Sequence, residues 1–538
     1  MTKKLKIQTW ALLAVSAVLM SLPFLVRTTG PLALFSFVPL FIADRILYEN
    51  RVKRAWLYFF TAFLAFNVAS TFWIWFVSEA GAVAAILLNS LQMTLVFGLF
   101  RWFRKMLDKH AGTYPRILPY IFLAVCWLTW EHFYFEVELS WPWLVLGNAF
   151  ATSTPLVQWY SVTGALGGTL WIFLTGIPAF MAICPENRDK RIAWTSFSAA
   201  SAILPAAVSL LMYFSYNESG QEHEVVVVQP NIDPFAKYGV LPQANLDTRL
   251  LQLAEQSMTE NTRLVVTPET FTFDIDIDHP QGSASMERYA AFFSRHPESE
   301  MLLGALTYRT YTSTLRPTRS ASRLGNIWVD QFNTAMLTDG SQVSSHYFKS
   351  KLVPGVEIIP YQNVLTFLGP LVQKFGGSPG SYGTQDEMEA LEGKTGIKVG
   401  AMVCYESVYG DYSRVATKKG ADVLAVMTND GWWGDTPGYR QHFRFAKLRA
   451  IENRRDVIHA ANTGISGIID QKGDVLTKTG WWEECSFRST IRSNGKMTFF
   501  VRHGDVTGRA SSWIFILLLA ALVVICVSGK RFSRGRSA

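Results

Sequence analysis

Apolar residues crowd into positions 8–214 of this chain and again into 512–528, while the stretch between has the composition of an ordinary globular domain. A helix that crosses a bilayer needs about 20 consecutive, mostly apolar residues. Seven candidate spans precede the globular stretch, at 8–25, 31–47, 55–77, 80–103, 117–135, 156–184 and 193–213, and one follows it at 513–527. The second is the shortest of the early runs and holds Asp44 and Arg45, which makes it the weakest of the set. The expected architecture is a multi-pass α-helical membrane domain of about eight spans joined to a separate globular domain. The boundaries read from this pattern are 1–214 for seven transmembrane helices, 215–510 for the globular domain, and 511–538 for a C-terminal transmembrane helix with a basic tail.

The loops give an independent check. Threading the chain back and forth puts Lys3, Lys4 and Lys6 on one side, with Arg45, Arg51, Lys53 and Arg54. The same side receives Arg101, Arg104, Lys105, Lys109 and Arg116, then Arg188, Lys190 and Arg191, and last Lys530, Arg531, Arg534 and Arg536. The short loops opposite hold little more than Arg27. Basic loops stay in the cytoplasm, so both termini are expected there and residues 215–510 on the outer face. The first run, with its basic start, could also read as a cleaved signal peptide, but six further spans favour an uncleaved first helix. Trp56, Tyr58, Trp141 and Trp143 near run ends suit an interfacial belt or simple packing.

The formal charge of +8 does not point to nucleic acid, because the basic residues cluster at the ends of apolar runs. Of five cysteines, Cys126, Cys184 and Cys526 lie in or beside apolar runs, where a buried small residue is expected. Cys404 and Cys485 lie in the globular stretch. The sequence has no CxxC pair and no ladder of spacings, so neither a disulfide framework nor a zinc site is indicated.

From Glu224 onward short β-rich runs alternate with helical patterns. Strands are expected at 224–232, 263–269, 301–308, 334–338, 398–406, 421–429, 456–462 and 467–470, and helices at 243–258 and 439–453. Alternation of this kind implies an α/β layered fold, and runs such as Val225-Val226-Val227-Val228 suggest strands buried on both faces. The Gly- and Ser-rich segment 376–383 reads as a flexible loop.

Three strand ends carry reactive groups. Thr267-Pro268-Glu269-Thr270 places a carboxylate directly after a buried strand. Tyr347-Phe348-Lys349-Ser350-Lys351-Leu352-Val353-Pro354 is followed by Glu357. Val403-Cys404-Tyr405-Glu406 ends an apolar strand on a cysteine. Strand ends are where α/β folds build sites. A thiolate is the nucleophilic form of cysteine, and a base must take its proton. A lysine can stabilise the oxyanion that attack creates. Taken singly, Glu269 and Lys349 could be solvated loop charges, and Cys404 a buried residue or a disulfide partner of Cys485.

In this order the three segments resemble the Glu-Lys-Cys signature of the nitrilase superfamily. Thr428-Asn429-Asp430-Gly431-Trp432-Trp433-Gly434-Asp435, then Gln441-His442, Arg449-Ala450-Ile451-Glu452-Asn453 and Ala461-Asn462-Thr463-Gly464, strengthen the match. A nitrilase-like domain between seven spans and one resembles the apolipoprotein N-acyltransferase family over essentially the whole chain. The resemblance implies an αββα sandwich with Glu269 as general base, Lys349 as oxyanion-stabilising residue and Cys404 as nucleophile. Glu357 holds the spacing of a further family glutamate, although this chain reads Pro354-Gly355-Val356-Glu357 where the family has Pro-Phe-Gly-Glu. Tyr405 and Glu406 match the family Cys-Tyr-Glu. Tyr238 stands where the family often has Trp. Lys351 would share a face with Lys349 on an extended segment, and the family spacing selects Lys349.

The implied reaction is acyl transfer in two steps. Cys404 would take a fatty-acyl chain from a phospholipid, by resemblance the sn-1 chain of phosphatidylethanolamine. It would pass the chain to the α-amine of the diacylglyceryl-cysteine at a lipoprotein N-terminus, without metal or other cofactor. The implied setting is the bacterial inner membrane, with the catalytic domain in the periplasm and the chain acting as a monomer. Residues 364–372 are expected to form a membrane-touching lid or, equally, a buried helix. The rival functions are a membrane-anchored amidase of nitrilase type and a non-catalytic receptor, and the latter would not need all three reactive residues.

Overall fold

The computed structural model describes residues 1–111, 113–358, 361 and 381–534. The segments expected to form the lid (364–372) and most of the Gly-rich loop (376–383) lie outside the described residues. The chain forms two compact units. One comprises Met1–Phe72, Ala82–Phe214 and the segment from Asp505, and the other Trp73–Gly81 with Ser215–Gly504.

The first unit is helical: α1 Lys3–Leu25, α2 Phe37–Glu49, α3 Ala55–Thr71, α4 Glu79–His110, α5 Leu118–Tyr134, α6 Leu166–Ile183 and α7 Arg191–Ser215, with the C-terminal helix Val506–Arg534. Among the described residues, seven helices are long and apolar enough to cross a membrane. The remaining apolar run of the sequence, α5, is 17 residues long, roughly 26 Å at the α-helical rise.

Buried carboxylates in this unit are held by cations or by hydrogen-bond donors, as an apolar surrounding demands. The Asp44 carboxylate, fully buried, receives Arg101 and Arg104, the latter at 3.1 Å, and Arg45 pairs with Glu49 at 2.7 Å. The pairing explains how α2 keeps charges within an apolar run. Glu131 on α5 is likewise buried and accepts from Trp127 Nε1 at 3.1 Å, the Leu146 amide at 2.9 Å and Thr169 Oγ1 at 2.6 Å.

Two helix boundaries differ from the hydropathy reading. The run 156–184 holds a one-turn helix, Tyr160–Thr163, and a long helix only from Leu166, because Gly164 sits at φ +63° and breaks the chain direction. The C-terminal helix starts at Val506, ahead of the boundary read at 511, through a polar first turn that hydropathy does not register.

The second unit is built on two sheets. The first orders its strands β13–β1–β2–β3–β5–β4, with β6 also pairing β5. The second runs β12–β11–β10–β9–β8–β7. The strands are β1 Gln221–Gln229, β2 Thr262–Val266, β3 Glu300–Tyr311, β4 Ser322–Leu324, β5 Ile327–Thr338, β6 Val343–Phe348, β7 Ala390–Glu392, β8 Lys398–Val403, β9 Val423–Thr428, β10 Val457–Ala461, β11 Gly467–Ile469, β12 Val475–Lys478 and β13 Cys485–Ser493.

Side-chain alternation sets the layers. Val225, Val227, Leu264, Val266 and Leu302 point into the space between the sheets, where they meet Val399, Ala401, Ala425 and Ile458. Val226, Val228, Val265, Met301 and Leu303 point the other way, onto α8 Gln243–Ser257 and α9 Ala284–Phe293. On the outer face of the second sheet lie α10 Gly410–Lys418 and α11 Pro437–Asn453, whose Phe443, Ala446 and Ala450 enter the core. The unit is an αββα sandwich, and its strands are apolar on both faces because both faces are covered.

Candidate active site

Glu269 leaves the sheet just beyond β2. The Thr267 amide donates to the Leu302 carbonyl at 3.1 Å and the Phe271 amide to that of Gly304 at 2.7 Å, so the turn is pinned at both ends to β3. Thr270 inside it sits at φ +47°. The close crossing depends on Gly304, since a Cβ there would lie 2.1 Å from the Pro268 carbonyl oxygen.

Lys349 follows β6, and its amide continues the β5–β6 ladder onto the Asn333 carbonyl at 2.8 Å. Its side chain is fully buried, with Nζ 2.9 Å from Glu357 Oε1 and 3.3 Å from Glu269 Oε1. Burial works against the charge, but Glu357 and Glu269 outweigh it and hold the ammonium well above the ordinary lysine range. Glu357 is fixed by the Val353 amide, which donates to Oε2 at 2.8 Å. Lys351 does not share this position. Its Nζ lies 5.6 and 5.5 Å from the ring centres of Tyr409 and Tyr412.

Cys404 directly follows β8 and begins a short 3-10 turn, Cys404–Val408. The strand read to 406 stops at Val403 because Cys404 takes φ +52°, a conformation rare for a residue with a Cβ. Burial pushes the thiol well above its usual range, the Glu269 charge adds to this, and Lys349 opposes it. At neutral pH the group is therefore a thiol whose proton has to be removed.

Glu406 is buried and ties the arms of the site together. Its Oε1 accepts from Tyr347 Oη at 2.6 Å and from the Ser350 and Lys351 amides at 2.8 and 3.1 Å, while Oε2 accepts from the Val403 amide at 2.8 Å. Tyr405 is buried edge-on against Tyr409, with 5.2 Å between ring centres. Tyr238 lies at the rim, 41% exposed, its hydroxyl 2.6 Å from Thr270 Oγ1 and its ring 5.8 Å from that of Trp432.

The structure thus gathers Glu269, Lys349 and Glu357 directly and brings Cys404 within reach of their charges. It also adds groups that sequence reading missed. Asn333, buried on β5, donates through Nδ2 to Glu269 Oε1 at 2.8 Å and Glu357 Oε1 at 3.1 Å. His442 on α11 engages the Cys404 carbonyl at 3.0 Å and Ser407 Oγ at 2.8 Å through Nε2, with Nδ1 3.0 Å from Asp430 Oδ1. Lys237, fully buried at the end of the short helix Pro234–Lys237, reaches the Glu269 carbonyl. The signal for Asn333 was an amide at the edge of the apolar half of β5, and for His442 its place in the Gln441-His442 pair.

Among the described residues, Asp430, His442 and His459 lie close enough to hold a metal ion. The Nε2 of His442 is already engaged by the turn that carries Cys404, and its Nδ1 faces Asp430.

A buried Glu–Lys–Cys set at strand ends of an αββα sandwich defines a carbon-nitrogen hydrolase domain, and the family model of that description matches residues 225–491. A second model, described as the apolipoprotein N-acyltransferase N-terminal domain, matches residues 16–178. The chain belongs to the apolipoprotein N-acyltransferase family and is a membrane protein. It is 26% identical over 495 residues to an apolipoprotein N-acyltransferase of Chlorobaculum tepidum, covering 88% of this chain and 89% of that protein. It is 26% identical over 532 residues to one of Thermotoga maritima, covering 94% and 91%, and 24% identical over 513 residues to one of Geobacter metallireducens, covering 91% of each.

Proposed function

We propose that this chain is an apolipoprotein N-acyltransferase that works through a thioester on Cys404, with a phospholipid as acyl donor and the N-terminal diacylglyceryl-cysteine of a lipoprotein as acceptor. The carrying observation is the buried Lys349 between Glu269 and Glu357, with Cys404 directly past the end of β8.

In the first step Glu269 takes the Cys404 proton as sulfur attacks the ester carbonyl of the donor. The carbonyl oxygen becomes an oxyanion facing the Lys349 ammonium. Collapse breaks the ester C–O bond, and the lysophospholipid alkoxide leaves with the proton held on Glu269. In the second step the lipoprotein amine attacks the thioester, Glu269 takes a proton from it, and Cys404 leaves and is reprotonated. Glu357 keeps Lys349 charged and aimed. Glu406 sets the Lys349 segment against the Cys404 strand, Tyr405 shapes the wall, and Tyr238 lines the rim.

Phosphatidylethanolamine, attacked at its sn-1 ester, is the donor that the resemblance implies. The loop charge asymmetry supports a multi-pass topology in the bacterial inner membrane, with 215–510 as a periplasmic catalytic domain and both termini cytoplasmic. The protein acts as a monomer in this reading. Both substrates lie in the bilayer, which gives the apolar helices their purpose.

The test is intact-mass analysis of the purified protein after incubation with phosphatidylethanolamine in mixed micelles. A fatty-acyl increment on the wild type, removed by hydroxylamine and missing from Cys404→Ser, is expected. A folded wild type that gains no mass overturns the reading in favour of an anchored amidase.

A further inference from the structure

The side chain of Lys237 is buried in the catalytic unit, 1% exposed, and sits against the residue read as the base. Its Nζ donates to the Glu269 carbonyl oxygen at 3.1 Å and to Thr270 Oγ1 at 3.2 Å. Thr270 Oγ1 is also 2.6 Å from the Tyr238 hydroxyl. A buried ammonium is costly unless something uses it, and here it meets a carbonyl, a hydroxyl and the face of the Tyr238 ring, 4.9 Å from its centre. No carboxylate oxygen is bonded to it among the described residues. The groups it does hold are the peptide of Glu269 and the one residue of that turn at positive φ.

We propose that Lys237 is a positioning residue for Glu269: it clamps the left-handed turn through the Glu269 carbonyl and the Thr270 hydroxyl, and so aims the carboxylate at Cys404 while adding a second cation behind it. The inference rests on the reading of Glu269 as general base. Lysine suits the task because one ammonium offers three donors on a long stem, enough to span a carbonyl and a hydroxyl from the neighbouring short helix. Leu302 and Gly304 grip the turn from β3, and on the other side Lys237 shares the turn with the Tyr238 hydroxyl on Thr270 and the Gln243 amide on the Phe271 carbonyl.

The charge acts as well as the geometry. The titratable groups facing Lys237 are the Glu269 carboxylate and the Tyr238 phenol, and on its own short helix Asp233 is spent capping the Phe235 and Ala236 amides. Burial pulls Lys237 down to about 7, with Glu269 opposing, so its charge is present below that pH and lost above it. A cation there favours the ionised carboxylate. Removing it raises the pH at which Glu269 becomes a competent base.

The experiment measures the rate of acyl-enzyme formation against pH, in full-length protein with phosphatidylethanolamine micelles. Lys237→Met is expected to acylate roughly 10- to 100-fold more slowly, with the acid limb of its pH profile moved to higher pH. Lys237→Arg is expected to restore the position of that limb. A wild-type rate, or a slowed rate with an unmoved acid limb, overturns the proposal. Where Lys237→Met does not fold, Thr270→Val carries the test: slowed acylation supports the clamp and a wild-type rate overturns it. Glu269→Gln in parallel separates the two readings, because if it acylates at the wild-type rate the base assignment fails, whatever Lys237 does.

Discussion

Asn333 Nδ2 stands 2.8 Å from Glu269 Oε1 and also within 3.1 Å of Glu357 Oε1, so one buried amide bridges both carboxylates that flank Lys349. Like charges at such proximity repel, and here an amide and an ammonium between them supply the donors that make the arrangement tenable. Asn333→Leu removes two charge-assisted hydrogen bonds, each worth about 1.5–3 kcal/mol. Thermal unfolding of the variant is expected to drop, and acyl-enzyme formation to slow at least tenfold. A variant with wild-type rate would show that the bridge is dispensable.

Glu357→Gln leaves the Lys349 geometry nearly isosteric but removes the carboxylate with the stronger effect of the two that hold the ammonium up. Acylation is expected to fall by two orders of magnitude or so, in line with the loss of a preorganised charge at an oxyanion site. Lys349→Met should be worse for the fold as well. It strands two buried carboxylates, and breaking a buried pair costs about 3–5 kcal/mol. The paired readouts are single-turnover acylation and a urea melt.

The Cys404 thiol makes a prediction of opposite sign for two assays. Glu269 raises the thiol's pKa, so Glu269→Gln lowers it and increases the thiolate fraction near neutral pH. Alkylation of Cys404 by iodoacetamide should therefore speed up in Glu269→Gln while acyl transfer is lost. Slower alkylation instead would mean that Glu269 already deprotonates the resting thiol. In the wild type, alkylation should still be rising above pH 9, because the folded thiol titrates well above that value. Peptide mapping separates Cys404 from the other cysteines.

Gly304→Ala places a methyl where the Pro268 carbonyl stands, 2.1 Å away and on backbone that cannot swing aside. About 1–3 kcal/mol of stability should be lost, and the turn carrying Glu269 should shift. A fall in acylation larger than the fall in stability explains would separate the positional effect from general unfolding.

The apolar runs, the strand ends and the order of Glu269, Lys349 and Cys404 were legible because each is a local pattern with a period or a neighbour that betrays it. Glu406 and Glu357 were legible only through family spacing. Asn333 and Lys237 were not, since an amide in a buried strand and a lysine in a loop acquire meaning from partners distant in sequence. β13 and β6 escaped notice for a related reason: Cys485–Ser493 and Val343–Phe348 are rich in Ser, Arg and His, and hydrophobic alternation is faint where polar groups alternate with few apolar ones. The missing half-turn of the strand at Cys404 reflects tertiary override. The run is apolar enough to continue, but His442 and Ser407 hold its carbonyl in a turn.

Glu406 has a consequence for how substrates of different size can be accommodated. One carboxylate accepts from the Val403 amide on one side and from the Ser350 and Lys351 amides on the other, so the sulfur-bearing strand and the lysine-bearing segment are riveted together. Their spacing is a constant of the scaffold and cannot be used to adapt to cargo. Under the proposed function, tolerance for longer, shorter or bulkier acyl chains is expected from the aromatic rim, where Phe235 and Tyr238 each pack on Trp432. In such a design the chemistry is set by a fixed gauge, and selectivity can drift by exchange of rim side chains without retuning the reaction.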